Sequence, residues 1–201
     1  LAYETYGNLN DKKDNAILVF HALTGDQFVS GKNPLTNKDG WWSYAVGPGK
    51  AIDTEKYFVI CANVIGGCMG SFGPSNLNPG TNKIYGTNFP VITINDMVNA
   101  QYNLLNFFKI EKLFAVMGGS MGGMQVLQFV SNFPDKAKVA IPIACTSNHS
   151  AQNIALNELG RQSIMADVNW LNGDYSNQNK NPNKGLSVAR MAAHITYLSK
   201  N

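Results

Sequence analysis

The stretch 113–132 restricts this chain more than any other, because two periodicities meet there at a pair of glycines. Leu113-Phe114-Ala115-Val116-Met117 is a short apolar run of strand type. Met124, Leu127 and Val130 then recur at helical spacing until Asn132-Phe133-Pro134 stops the run. Between them stands Gly118-Gly119-Ser120-Met121-Gly122, a G-x-S-x-G sequence. A strand that reverses directly into a helix leaves no room for side chains at the flanks of the turn, which accounts for Gly118 and Gly122. Such a bend carries the Ser120 hydroxyl to the top of a sheet, at the N-terminus of the next helix. Backbone N–H groups and the helix dipole favour developing negative charge there. That setting suits a serine nucleophile in acyl transfer.

Other apolar runs supply the rest of a sheet. Residues 15–22 and 56–64 read as strands buried on both faces, and 138–145 as a fourth, with Pro142 an objection to a central position. Residues 1–7 alternate like a strand. Residues 94–107 carry a helical stripe whose inner face is Met97, Ala100 or Gln101, Leu104 and Phe107. Thr93 is its N-cap, with Asp96 completing a capping box. Strands alternating with helices predict a mostly parallel α/β sheet.

The Gly-, Pro- and Asn-rich segment 66–90 reads as a long loop over the sheet's C-terminal edge, where loops of that length serve a site. From Ser150 the pattern changes. Residues 151–165 and 186–198 look helical, joined by Asn-rich 172–183, as a helical lid inserted after a sheet would look. The expected organisation is a core over 1–147, incomplete, and the start of a lid over 148–201. A strand-like opening without an initiator methionine and an uncapped helical ending lead us to expect a fragment.

Composition removes several function classes. The net charge of +3 is spread out without a basic run, so nucleic acid is not implied. No apolar stretch has the length of a membrane span, and on these residues no signal peptide is expected. Three cysteines, Cys61, Cys68 and Cys145, cannot all pair, which points to a reducing cytoplasm.

A serine nucleophile needs a base, an acid that orients it, and an oxyanion hole. One oxyanion N–H is expected from Met121, the residue after the nucleophile. The other is expected from Leu23, in the loop His21-Ala22-Leu23-Thr24-Gly25 after the first buried strand. His21 is read as a structural histidine that fixes this loop. Gly66-Gly67-Cys68-Met69-Gly70 has the same glycine spacing, but Ser71-Phe72-Gly73-Pro74 cannot continue it as a helix, so Cys68 is a loop residue rather than a nucleophile. Cys61 and Cys145 lie in apolar runs and are expected to be packed. In chain order Asp167 or Asp174 with His194 would complete a triad, yet all three lie in the helical segment with no strand to hold them. The base and its acid are therefore expected outside these residues. Arg190, in an otherwise apolar helix, would suit a substrate carboxylate, with Arg161 as its competitor.

Taken together, these motifs resemble homoserine O-acetyltransferases of the α/β-hydrolase superfamily. The matching runs are Tyr3-Glu4-Thr5-Tyr6-Gly7, His21-Ala22-Leu23-Thr24-Gly25, Gly40-Trp41-Trp42, Val46-Gly47-Pro48-Gly49-Lys50 and Asn63-Val64-Ile65-Gly66-Gly67-Cys68. They continue with Gly118-Gly119-Ser120-Met121-Gly122-Gly123-Met124-Gln125, Ser150-Ala151-Gln152-Asn153, and Ala189-Arg190-Met191 leading to His194-Ile195-Thr196-Tyr197. The resemblance implies an α/β-hydrolase fold with an inserted helical lid. It implies that Ser120 takes an acetyl group from acetyl-CoA and passes it to the homoserine hydroxyl, in methionine biosynthesis. Leu23 and Met121 would form the oxyanion hole, and Arg190 rather than Arg161 would bind the amino acid. It further implies a homodimer joined through the lid, acetyl-CoA as co-substrate, and no bound cofactor or metal. In this family the catalytic Asp and His lie beyond the position of residue 201, and Phe72 replaces a small hydroxyl residue. A succinyl donor, a serine acceptor, a serine esterase or an inactive fragment remain open on the residues alone.

Overall fold

The computed structural model describes residues 1–175 and 178–197. In chain order the strands and helices are β1 (Tyr3–Tyr6), β2 (Ala16–Phe20), β3 (Val46–Gly47), β4 (Ile52–Asp53), β5 (Phe58–Ala62), β6 (Leu77–Asn78), β7 (Lys83–Ile84), α1 (Ile94–Phe108), β8 (Leu113–Gly119), α2 (Met121–Asn132), β9 (Ala137–Ile143), α3 (Ala151–Met165) and α4 (Asn183–Tyr197). Contacts divide them into two units, Leu1–Asn76 with Pro90–Ser147, and Leu77–Phe89 with Asn148–Asn201.

The first unit is built on a five-stranded sheet in the order β1-β5-β2-β8-β9. All neighbours are parallel except β1, which runs antiparallel to β5. The near-continuous apolar runs of β2 and β5 are buried at every residue, as strands covered on both faces must be. Alternate residues serve opposite faces. Leu18, Ile60 and Val116, side by side in register, pack with Val98, Leu104 and Leu105 of α1 and Val126 and Phe129 of α2. Val19, Cys61 and Met117 face the other way and meet Val29, Val46 and Ile52. That second face is therefore covered partly by the 26–57 loop with its short parallel pair β3–β4, which the periodicity did not reveal.

Helix α1 begins as expected, with Thr93 and Asp96 forming a reciprocal capping box. Its buried face differs from the expected one. Val98, Gln101, Leu104 and Leu105 are buried, whereas Phe107 is 69% exposed. The stripe is turned by about one residue, because the sheet accepts a face that contains a glutamine. In α2 the buried residues are Met121, Gly122, Gly123, Gln125, Val126 and Phe129, and the expected Met124, Leu127 and Val130 flank them half-buried.

Pro142 is accommodated because β9 is the outer strand of the described sheet. The Ile143 carbonyl faces β8, where it accepts from Ser120 N at 3.0 Å. The neighbouring Pro142 thus directs its missing N–H to the open side.

In the second unit the expected loop is more ordered than the composition indicated, because β6 and β7 pair as an antiparallel hairpin. Ser150 caps α3, accepting from Asn153 N. Helices α3 and α4 pack at Gly185, where a Cβ would overlap the Ser163 carbonyl and lie 2.7 Å from Ile164 Cα. Helix α4 starts three residues before the expected position, and its expected end at Leu198 falls outside the described residues. Among the described residues no helix is long and apolar enough to cross a membrane.

The packing of Leu18, fully buried at the centre of the helix-covered face, predicts that Leu18→Ala lowers unfolding free energy by about 2–5 kcal/mol. Val91→Ala, at a residue 91% exposed, is expected to change it by no more than about 0.5 kcal/mol. Urea titrations of the two variants beside the parent chain check both.

Candidate active site

Ser120 is the single residue between β8 and α2, with φ 56° and ψ −120°. A residue with a Cβ is strained there, by about 1–3 kcal/mol, and the bend persists because it is pinned on both sides. The Ser120 N–H donates to Ile143 O on β9 at 3.0 Å, and its carbonyl accepts from Met124 N in the first turn of α2 at 3.1 Å. The hydroxyl does not cap its own helix, and the residue is exposed. It stands at a helix N-terminus with its oxygen available.

The glycines have separate reasons. A Cβ on Gly118 would lie 2.6 Å from Gly122 C and 2.7 Å from Phe20 O. One on Gly122 would overlap the Phe20 carbonyl, and one on Gly123 would sit 2.7 Å from Cys145 Sγ. Gly119 has open space around it. The requirement at Gly118 and Gly122 therefore arises as much from the end of β2 as from the turn itself.

That neighbour matters because β2 and β8 are adjacent, with Phe20 opposite Gly118, while the chain leaves β2 first to form β5 on the other side. The C-terminal ends of β2 and β8 thus flank the point where the strand order reverses, where open α/β sheets bind ligands. The loop 21–25 leaves β2 here. Gly25 N closes a turn onto Ala22 O at 2.9 Å, and Leu23 is 68% exposed. Neither the Leu23 amide nor the Met121 amide donates a hydrogen bond to another group among the described residues.

His21, just before them, is 1% exposed. Its Nδ1–H donates to Ala22 O at 2.7 Å, and Nε2 accepts from Val64 N at 3.1 Å and faces Asn63 Nδ2 at 3.3 Å. Both nitrogens are engaged in the neutral form, so this ring is a brace and not a base. Burial holds it below the usual histidine range, against the opposing influence of the Ala22 carbonyl and Asp26. Asn63 continues the brace. Its side-chain oxygen accepts from Met69 N and Ser71 N, and its carbonyl from Ser71 Oγ. Gln27 Nε2 donates to Met69 O at 2.9 Å.

Cys68 is exposed on the braced loop, and no helix follows it. Phe72, 45% exposed, lies on the same loop. Cys61 is fully buried, and burial pushes its thiol well above the usual range. Cys145 is only half-buried, against Gly123.

In the second unit, Arg161 pairs with Glu158 on α3. Arg190 is exposed on α4 and has no ion-pair partner among the described residues. Asp167 accepts from Asn169 N and Gly185 N, both at 2.9 Å, so it serves the start of α4. His194 is exposed in the last turn of that helix. Among the described residues no group of three or more His, Cys, Asp or Glu could hold a metal ion. The sequence assigned no role to three polar residues that the structure buries here, Asn63, Gln101 and Gln125. The available signal was a glutamine on an otherwise apolar helix face.

Two predictions arise from this geometry. Ser120→Gly removes the left-handed strain, worth about 1–3 kcal/mol, at the cost of about 0.5–1 kcal/mol of backbone entropy. It is expected to raise the melting temperature, read by calorimetry. His21 is neutral when folded, so below about pH 6.5 the unfolded chain takes up a proton that the folded chain refuses. Stability is accordingly complete above that pH and falls as the pH drops towards about 5, a slope expected to diminish in His21→Asn when urea midpoints are followed against pH.

Comparison with known proteins agrees with this architecture. Over all 201 residues the chain is 88% identical to a homoserine O-acetyltransferase of Pelagibacter ubique, covering 54% of it. The chain thus spans about half the length of the curated relatives that it matches. Among solved structures, a homoserine O-acetyltransferase from Bacillus anthracis matches with a TM-score of 0.90 and 32% identity, over 96% of this chain and 53% of that one. An acetylester hydrolase from Corynebacterium glutamicum matches with a TM-score of 0.84 and 31% identity, over 98% of this chain and 53% of that one. The family model described as the α/β hydrolase fold covers residues 15–201, and with the serine bend at the switch point of a parallel sheet, the chain belongs to that family.

Proposed function

We propose that this chain carries the nucleophile half of a homoserine O-acetyltransferase. Ser120 Oγ attacks the thioester carbonyl of acetyl-CoA, forming the acyl C–O bond as CoA leaves as the thiol. The homoserine hydroxyl then takes the acetyl group and restores the serine. Leu23 and Met121 donate their free amides to the oxyanion of each tetrahedral adduct, where main-chain donors at a helix N-terminus act most strongly. His21 is engaged as a brace, and we assign the general base and its acid to the part of the enzyme outside residues 1–201, as the family resemblance implies.

The observation that carries this reading is the strained, exposed Ser120 at the N-terminus of α2, and the Leu23 and Met121 amides, which have no acceptor among the described residues, support it. The 88% identity to the Pelagibacter relative supports acetyl-CoA and homoserine as its substrates. Arg190, unpaired among the described residues where Arg161 is engaged, is the guanidinium we assign to the homoserine carboxylate. Methionine biosynthesis, a reducing cytoplasm and a homodimer formed through α3 and α4 complete the proposal. No cofactor or metal takes part in it.

A serine esterase is the second reading, favoured by the likeness to the Corynebacterium acetylester hydrolase. Both reactions share the acyl-serine and differ in whether water or an alcohol reaches it. A lid that excludes water favours the alcohol.

The test joins this chain to the C-terminal remainder of the Pelagibacter relative and follows CoA release from acetyl-CoA. Release that rises with homoserine and disappears in Ser120→Ala is the expected result. Release indifferent to homoserine at every concentration would refute the transferase and leave the esterase. Succinyl-CoA in parallel is expected to be the poorer donor, by about 10-fold or more.

A further inference from the structure

Two glutamines lie in the apolar layer between α1, α2 and the sheet, and the chemistry above uses neither. Gln101 on α1 and Gln125 on α2 are both 0% exposed. Gln101 Nε2 donates to Gln125 Oε1 at 3.0 Å. Gln125 Nε2 then donates to two main-chain carbonyls, those of His21 and Met121, each at 3.4 Å. The Gln101 side-chain oxygen has no partner in this layer.

Stability does not account for this arrangement. Burying an amide costs free energy unless it is fully hydrogen-bonded, and a matched pair of apolar side chains would do as well or better. The two carbonyl bonds are long, so each fixes orientation more than it adds stability. What they connect is specific. The His21 carbonyl lies two residues before the Leu23 amide, and Met121 itself carries the other amide. Gln125 is therefore the side chain that links the loop after β2 to the first turn of α2. Its orientation is fixed as well: carbonyls only accept, so Nε2 must face them, and the Gln101 donor holds Oε1 in the opposite direction.

We propose that Gln125 is a positioning residue for the oxyanion hole, setting the separation of the Leu23 and Met121 amides through its two carbonyl contacts, with Gln101 holding its amide in place. The inference rests on the acyl-serine reading given above. It assigns the buried amide pair a role in rate and not in folding.

The test uses this chain joined to the C-terminal remainder of the Pelagibacter relative, with p-nitrophenyl acetate as the acylating probe and no acceptor added. Three proteins are compared with the parent: Ser120→Ala, Gln125→Leu, and Gln101→Leu with Gln125→Leu together. The double variant removes both partners at once, so its urea midpoint is expected to lie close to the parent's even where the single variant is destabilised. In both Gln125→Leu proteins the acylation rate constant is expected to fall by about 10- to 100-fold. KM for the ester should stay within about 2-fold, and affinity for a boronic acid that forms a tetrahedral adduct on Ser120 should fall in parallel with the rate. A folded double variant that acylates at the parent's rate overturns the proposal, and so does a loss confined to KM. If the parent itself shows no burst that Ser120→Ala abolishes, the acyl-serine reading fails, and this inference with it.

Discussion

The first turn of α2 lies against the carbonyl that ends β2, and this contact organises the unit around it. It exists only because residue 122 has no side chain, since a Cβ there would overlap the Phe20 oxygen. Close approach lets the helix leave β8 without an intervening loop, and forces Ser120 into its left-handed conformation. The same approach puts the helix N-terminus beside residues 21–25. A serine oxygen, a helix dipole and two amides without acceptors come from one steric fact. The strain at Ser120 is sustained from both sides, by the sheet, whose Ile143 O accepts from Ser120 N, and by α2, whose Met124 N donates to Ser120 O.

A second layer of organisation keeps that contact in register. His21 presents its ring to Val64 N and Asn63 and its carbonyl to Gln125. One residue thereby ties the loop after β2 to the loop after β5 and to α2. Burial favours the neutral ring by withholding water from the charged one, and only the neutral ring leaves Nε2 free to accept from Val64 N. Polar groups inside the core here act as connectors between elements whose apolar surfaces alone would allow some sliding.

Much of the architecture was legible in the chain. Continuous apolar runs marked β2 and β5, the Thr93–Asp96 box marked the start of α1, and the G-x-S-x-G spacing marked the bend, because these signals are local and follow from backbone geometry. The rotated face of α1 was not legible. Phe107 is the more hydrophobic residue, yet Gln101 is buried, because its partner on α2 is 24 positions away in sequence. The short β3–β4 pair and the β6–β7 hairpin escaped for a related reason, since two-residue strands carry no periodicity.

The sequence by itself determined that a serine would stand at a tight strand-to-helix bend, since glycine spacing and the change from period 2 to period 3.6 depend only on neighbouring residues. Only the tertiary structure decided which group presses on that bend, which histidine is consumed as a brace, and which glutamine joins the two amide-bearing segments. Those are pairings between residues 43 and 104 positions apart, Val64 with His21 and Gln125 with His21. Strand order brings them together, and no local pattern encodes them.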